Sequence, residues 1–552
     1  MKKSRIIAIM LAFAMTLACM IGCGGKDDST PESGAGGKKT VVKIGLETKG
    51  YGRAHVDNLV ARFNEIQSDI EVEVKRVTPQ AGLHTNQLAL GAKKCEMDIF
   101  FTLTQNVFFN QSQANKNHWA DLSDVYNSVA TGYAESDGVK TVKDLLDPTY
   151  VKYFTYTDGK QYSAPYTSGA VGLLYNKTKW DSTNAKLAES GKAELVLPRT
   201  TDEMFALFKR IKSAEVKSAS ENAYAFSYSG VNPYMHFLFN TLWPQYLGQT
   251  GAMNFLEGKD ENGVYTAEIY NSKARLYAYE VVADMMMQEN GYVSTDAVEW
   301  TYSEEQIEFL RGSSFFSLNG DWLERETANT VKPGEADVAM IRTPIMSKIV
   351  ENSAIKADFT GTKAENDAKL SEIIQFIDEN YLDADGVPSD ADATSLGIAK
   401  TTLDFLHHAR RVRHALIDFV VVVPEFSAEL EEAKEFLKFM YSKEGQDIVL
   451  ASTYGCAAPM QIDYSQMDYY ADATYYSKTR LDLISKALAY GNAYNFPMQY
   501  LASMRLYPQE GNFTSYFGID NPSSARDLMI KEYNENNGTW KDMMAIAGVS
   551  ND

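Results

Sequence analysis

Apolar and polar residues settle into regular periods from residue 42 onward. Val42, Ile44 and Leu46 interleave with Lys43, Gly45 and Glu47, the two-residue period of a strand buried on one face. Val56, Leu59, Val60 and Phe63 then recur at helical spacing. Ile70, Val72 and Val74 alternate with Glu71, Glu73 and Lys75, the 83–90 stretch reads as a helix, and Met97 to Phe101 as a third strand. Strand, helix, strand, helix, strand predicts right-handed crossovers over a parallel sheet.

Beyond residue 150 the texture changes. Asp158-Gly159 supplies a hairpin turn inside Tyr156–Tyr162, and Pro165 to Tyr175 is extended and apolar, broken by Gly169 and Gly172. A second α/β block follows. Tyr224, Phe226 and Tyr228 predict a strand, Asn232 the cap of a helix opening at Pro233, Glu261–Val264 a hairpin turn, and Ala274 to Gln288 a helix. Ser313 to Leu318 reads as a buried strand ending in Asn319-Gly320-Asp321-Trp322, with Asp321 and Glu324 spaced as a capping box. Val338 to Ile341 is a further strand, and Leu370, Ile373, Ile374 and Ile377 mark a helix before an acidic loop at 383–392. The β-branched run Ile417 to Val423 predicts a strand covered on both faces, and Ser427 caps a helix carrying Leu430, Ala433, Leu437 and Met440.

The first forty residues lie outside these periods. Lys2, Lys3 and Arg5 precede an apolar run, Ile6 to Ala18, too short for an ordinary membrane span. Gly22 before Cys23 resembles a bacterial lipobox, so residues 1–22 are expected to leave as a signal peptide and Cys23 to be acylated. Residues 23–40, rich in Gly, Ser, Pro and charge, form the expected lipidated tether. No later segment has the roughly 18 apolar residues of a span. Anchoring thus rests on lipid, on the outer face of a cell membrane.

The 552 residues leave room for two or more domains with sizeable cores. With 53 basic against 73 acidic residues the net charge is −20, and loss of Lys2, Lys3 and Arg5 deepens it to −23. Such a surface repels nucleic acid and anionic lipid. Once Cys19 leaves with the signal and Cys23 is lipidated, Cys95 and Cys456 remain, read as separate buried thiols. No zincin, serine-hydrolase or Walker motif is present. His407, His408 and His414 beside Arg410, Arg411 and Arg413 read as a solvated basic turn, and Asp383, Asp385, Asp390 and Asp392 as an exposed acidic loop without the register of a calcium site. Neither metal nor cofactor is expected.

Several phrases carry a resemblance. The lipobox and tether, the strand at Val41, Asp98-Ile99-Phe100-Phe101, Tyr162–Tyr166 followed by Gly172–Lys177, Phe315–Trp322, Ala433–Met440 and Gly455–Pro459 stand in an order similar to extracellular solute-binding proteins of ABC importers. The group most resembled is the sugar- and oligosaccharide-binding, maltodextrin-binding-like one, over about residues 40–545, although the 349–413 stretch is longer than the common pattern. The resemblance implies a type II periplasmic-binding-protein-like fold: two α/β lobes with a hinge and a ligand cleft between them. One lobe would hold 41–165 plus 345–445, the other 166–344 plus 446–552. It also implies a carbohydrate ligand, ABC permease subunits as partners, a monomer and no catalysis.

A sugar offers apolar C–H faces to aromatic rings and a rim of hydroxyls to polar side chains. By the resemblance Trp322 is the stacking residue, and Gln105, in the loop after the third strand, a polar contact. Glu47 and Tyr51 follow the first strand, Tyr228 ends a second-lobe strand, Tyr166 lies near the crossing between lobes, and Asp321 and Trp300 complete the expected contact set. Two other readings stay open on the residues alone. One is a lipid-anchored glycoside hydrolase, since some carboxylate pair is always available among so many; the other is a ligand-sensing receptor component.

Overall fold

Parallel pairing of the first three strands follows from their patterning. In the computed structural model, β1 (Thr40–Glu47) pairs in parallel with β2 (Ile70–Thr78) and with β3 (Ile99–Leu103). Val42, Ile44 and Leu46 are wholly buried, and helix Ala54–Ile66, which packs on β2, turns Val56, Leu59 and Phe63 inward. The structure describes residues 39–103, 118–133, 139–156, 158–384, 386–416, 419–491, 517 and 524–546. The expected signal, Cys23 and all but the last two residues of its tether lie outside the described residues, as does Gln105; Thr40, counted with the tether, already opens β1.

Two mixed sheets organise two lobes. The first runs β2-β1-β3-β10-β4, with β10 (Phe419–Val422) antiparallel to both β3 and β4 (Ala164–Pro165). All four residues of β10 are buried, as its β-branched run requires of a strand covered on both faces. The second runs β6-β7-β5-β8: β6 (Tyr224–Ser227) lies parallel to β7 (Ser314–Gly320), and β5 (Val171–Asn176) antiparallel to β7 and β8 (Val338–Met340). A two-stranded ribbon pairs β9 (Val412–Ala415) with β11 (Leu488–Gly491).

Three chain segments lie side by side where the lobes join. Tyr166–Ala170 leads from β4 to β5; Ser168 N–H donates to the Ala457 carbonyl at 2.7 Å, and Leu416 N–H to the Gly169 carbonyl at 2.9 Å. Gly169 has a φ of 49°, and a Cβ there would stand 2.0 Å from the Leu416 carbonyl oxygen, so only glycine permits the approach. Several short connections of this kind form a hinge.

Residues 345–411, assigned with the first lobe from sequence, carry a core of their own that includes Ile345, Ile349, Ile374 and Leu406. Their helix Lys400–Arg411 packs on helix Met235–Leu256 of the second lobe. Helix Lys443–Thr453 packs on Ala54–Ile66 of the first lobe, and the last described helix, Ala525–Ile546, on Lys273–Met286.

Some local expectations change. Asn232 caps no helix: the helix opens at Met235 behind a left-handed Tyr234, and Asn232 N–H donates to Ser229 Oγ instead. Asp321 makes no capping box, because its carboxylate is drawn elsewhere. The basic turn is the end of a helix followed by β9, with Arg410 and Arg413 buried and His414 wholly so. Part of the acidic loop is a helix, Asp390–Ser395, under a Ser389–Asp392 capping box. Cys95 and Cys456 are free as expected, but Cys95 is only half-buried.

Candidate functional site

Parallel strands release their carboxyl ends at one edge of a sheet, and open α/β sheets bind ligands there. Glu47 ends β1, and the loop holding Gln105 follows β3. In the second lobe Tyr228 follows β6, while Asp321 and Trp322 follow β7. The two edges meet.

They meet at a buried hydrogen bond. The Tyr51 hydroxyl donates to Asp321 Oδ1 at 2.7 Å, and Thr167 Oγ1, on the crossing segment, donates to the Tyr51 oxygen at 3.2 Å. Asp321 Oδ2 accepts the Ala170 N–H at 3.2 Å. Burial pushes the Asp321 carboxyl above its ordinary range, against the pull of Arg480 and of these bonds. Arg480, itself buried, donates to the Asp321 and Tyr454 carbonyls and stacks over Tyr476.

The first lobe contributes an aromatic wall. Tyr166 stacks on His55 (centroids 5.8 Å, planes 15° apart) and meets Phe101 and Phe419 edge-on; Phe419 in turn meets Tyr51 at 4.7 Å. Burial lowers the His55 imidazole to about 4, so the ring is neutral, and neither ring nitrogen has a partner among the described residues. Glu47 serves a local purpose: its Oε1 accepts the Gly82 and Leu83 N–H groups and lies 3.2 Å from His84 Nδ1, closing the start of helix Leu83–Ala89. Burial alone would raise that carboxyl, but bonding and the charge of His84, with Thr102 and Leu83, hold it below the ordinary range.

On the second lobe Trp322 is 7% exposed, edge-on to Tyr234 at 6.1 Å and Phe237 at 6.0 Å. Its ring lies across Gly320, where a Cβ would stand 2.4 Å from ring carbon. Phe237 also contacts His414, which faces His236 at 6.3 Å; burial and His414 drive the His236 imidazole well down. Tyr228 stacks on Phe226 beside the loop in which Ser229 Oγ donates to the Trp300 carbonyl at 2.8 Å.

The structure thus brings Tyr51, Tyr166, Asp321 and Trp322 together at the junction, places Tyr228 and Trp300 on the same second-lobe edge, and turns Glu47 inward as a cap. Sequence reading passed over His55, Thr167, Tyr234, Phe237 and Arg480. Only His55 carried a signal, standing four residues before Leu59 on the apolar stripe. Among the described residues no group of three His, Cys, Asp or Glu side chains is placed to hold a metal, and no helix is long and apolar enough to cross a membrane.

A sequence profile described as bacterial extracellular solute-binding protein matches residues 52–447. The chain belongs to that family. No curated protein matched the chain. Among solved structures, this solute-binding protein is similar to the cyclic α-maltosyl-1,6-maltose binding protein of Arthrobacter globiformis, at 15% identity over 92% of this chain and 100% of that one, with a TM-score of 0.55. The GacH receptor of Streptomyces glaucescens, solved unliganded and with acarbose, gives the same identity, coverage and score. A chitin oligosaccharide binding protein matches at 15% identity over 91% of this chain and 100% of that one, with a TM-score of 0.54. At such identities the likeness speaks for the fold, two α/β lobes about a hinge. The family places the protein outside the cytoplasm.

Proposed function

We propose that this solute-binding protein captures a carbohydrate, an oligosaccharide, between its lobes and delivers it to the permease of an ABC importer while lipid on Cys23 holds it at the outer membrane face. The observation that carries the reading is the meeting of two strand-end edges across a three-segment hinge, furnished with Tyr51, Tyr166, Tyr228 and Trp322. Rings of this kind match the C–H faces of pyranosides. The fold is shared with proteins whose names state maltose-type, acarbose and chitin-oligosaccharide ligands. Catalysis is disfavoured by the two carboxylates expected there from sequence: Glu47 is spent on a helix start and Asp321 on the lobe junction.

A thermal-shift screen against mono- and oligosaccharides tests the proposal. A true ligand at 100 times its Kd stabilises by about 2.7 kcal/mol. Trp322→Ala should remove the shift for the best sugar while the unliganded variant still unfolds cooperatively. Failure of every neutral saccharide to shift the melt would overturn the carbohydrate assignment, and release of shortened products would replace it with a hydrolase.

A further inference from the structure

Helix Tyr302–Leu310 runs back along β7, because residues 311–313 turn it directly into that strand. Side chains along the pair show the same direction. Gln306 Nε2 reaches Asn319 Oδ1, near the strand's end, at 3.4 Å. The Phe309 carbonyl accepts Asn176 Nδ2 at 2.8 Å, one residue past the Tyr175–Phe316 pair and so near the strand's start. The first turn of the helix, with Tyr302, therefore stands at the edge where β7 releases Asp321 and Trp322.

Two runs of contacts tie that turn to Trp322. In one, Gln306 Nε2 also donates to Glu326 Oε2 at 2.8 Å. A Cβ on Gly50 would lie 3.0 Å from Glu326 Oε1 and 3.1 Å from Trp322 Cβ, so carboxylate and indole share one neighbour on the first-lobe loop. In the other, Tyr234 meets Trp322 edge-on at 6.1 Å, held at a φ of 51° that is uncommon for a non-glycine residue. The loop before Tyr234 is stitched to the loop before Tyr302. The Trp300 carbonyl accepts Ser229 Oγ at 2.8 Å and the Val231 N–H at 3.3 Å, and the Ala297 carbonyl accepts the Gly230 N–H at 2.8 Å.

Trp322 is closed in, but these residues are open. Tyr234 and Trp300 are only partly buried, Tyr302 is 39% exposed and Val231 55%. Apolar side chains scattered singly over a surface need no explanation, whereas rings gathered beside a binding edge mark a contact surface. Glu326 is exposed beside them, and its Oε1 accepts no hydrogen bond among the described residues, which leaves it for a hydroxyl.

We propose that Tyr234, Val231, Trp300 and Tyr302 form a ledge carrying the part of a saccharide chain that extends beyond the lobe junction, with Glu326 as a hydroxyl acceptor, so that the protein selects longer neutral oligosaccharides over disaccharides. Rings suit the C–H faces of successive sugar units, and the carboxylate disfavours an anionic chain. This rests on the carbohydrate reading above and adds chain length to it.

Calorimetric titration with α-1,4-gluco-, β-1,4-xylo- and chito-oligosaccharides of two to six units tests the ledge. In the series that binds, affinity should rise at least tenfold from two units to six. Trp300→Ala and Tyr302→Ala should each lose most of that gain while holding the disaccharide within twofold of wild type, and Tyr302→Phe should keep it. Trp322→Ala should weaken every length. Should the half-buried Trp300 prove necessary for folding, exposed Tyr302→Ala and Val231→Asp carry the test. Equal affinity at two and six units, or an undiminished gain in the ledge variants, overturns the ledge and leaves the junction reading standing. Binding of no length in any series overturns both.

Discussion

Single residues at the strand ends were legible by position and illegible by partner. Glu47, Tyr51 and Asp321 stand at carboxyl edges, as their strands predicted, yet their polar atoms are taken by groups far along the chain. Tyr51 and Asp321 are 270 residues apart, and no local pattern announces such a bond. Glu305 makes the same point with a measurable consequence. It is buried on helix Tyr302–Leu310, accepting hydroxyl bonds from Ser227 at 2.5 Å and Ser317 at 2.7 Å, and burial raises its carboxyl from 4.5 to about 7 despite them. A folded-state value above the unfolded one means stability that is complete below pH 4.5 and is lost as pH rises through 7. The contribution is on the order of 3 kcal/mol. Glu305→Gln should therefore melt higher than wild type at pH 8 and close to it at pH 5, in scanning calorimetry across that range. Parallel pH profiles for the two proteins would show that Glu305 does not titrate in this window.

Elements with a clean period were read well from sequence: β1, β2, β3 and β10 stand where alternation or β-branching placed them. Starts and ends fared worse: the helix expected to open at Pro233 opens at Met235 behind Tyr234, and the Asp321 carboxylate is taken by Tyr51 and Ala170. The packing of whole elements was least visible. Helix Ala525–Ile546 docks through Glu532, whose carboxylate accepts Arg275 at 2.6 Å and also the Tyr279 hydroxyl. Arg275 is wholly buried among the rings of Phe239, Phe255, Tyr270 and Tyr279, with centroids 4.9–5.7 Å away. Removing one member of a buried ion pair costs about 3–5 kcal/mol, since the other charge stays behind. Glu532→Gln should lower the melting temperature, and limited proteolysis should cut first within 525–546. A wild-type digestion pattern would mean that apolar contacts alone hold the helix.

At the scale of the whole molecule, the two-lobe organisation was implied by the family resemblance, while the contact that joins the edges was not. The Tyr51 hydroxyl belongs to the first lobe, Asp321 to the second, and Thr167 and Ala170 to the segment between. Replacing Tyr51 by Phe keeps the ring against Phe419 but leaves buried Asp321 Oδ1 short of a donor, a loss of about 1–3 kcal/mol. That loss falls on the arrangement in which the edges touch and spares one in which they are parted, where water reaches the carboxylate. An equilibrium between the two shifts tenfold for each 1.4 kcal/mol, and a ligand needing the joined edges then binds more weakly by the same factor. Tyr51→Phe should therefore show a larger radius of gyration without ligand in solution scattering. With saturating saccharide it should return to the wild-type radius, and its Kd should rise about tenfold. An unchanged radius together with an unchanged Kd would make the Tyr51–Asp321 bond a fixed part of the hinge and place the moving contact elsewhere.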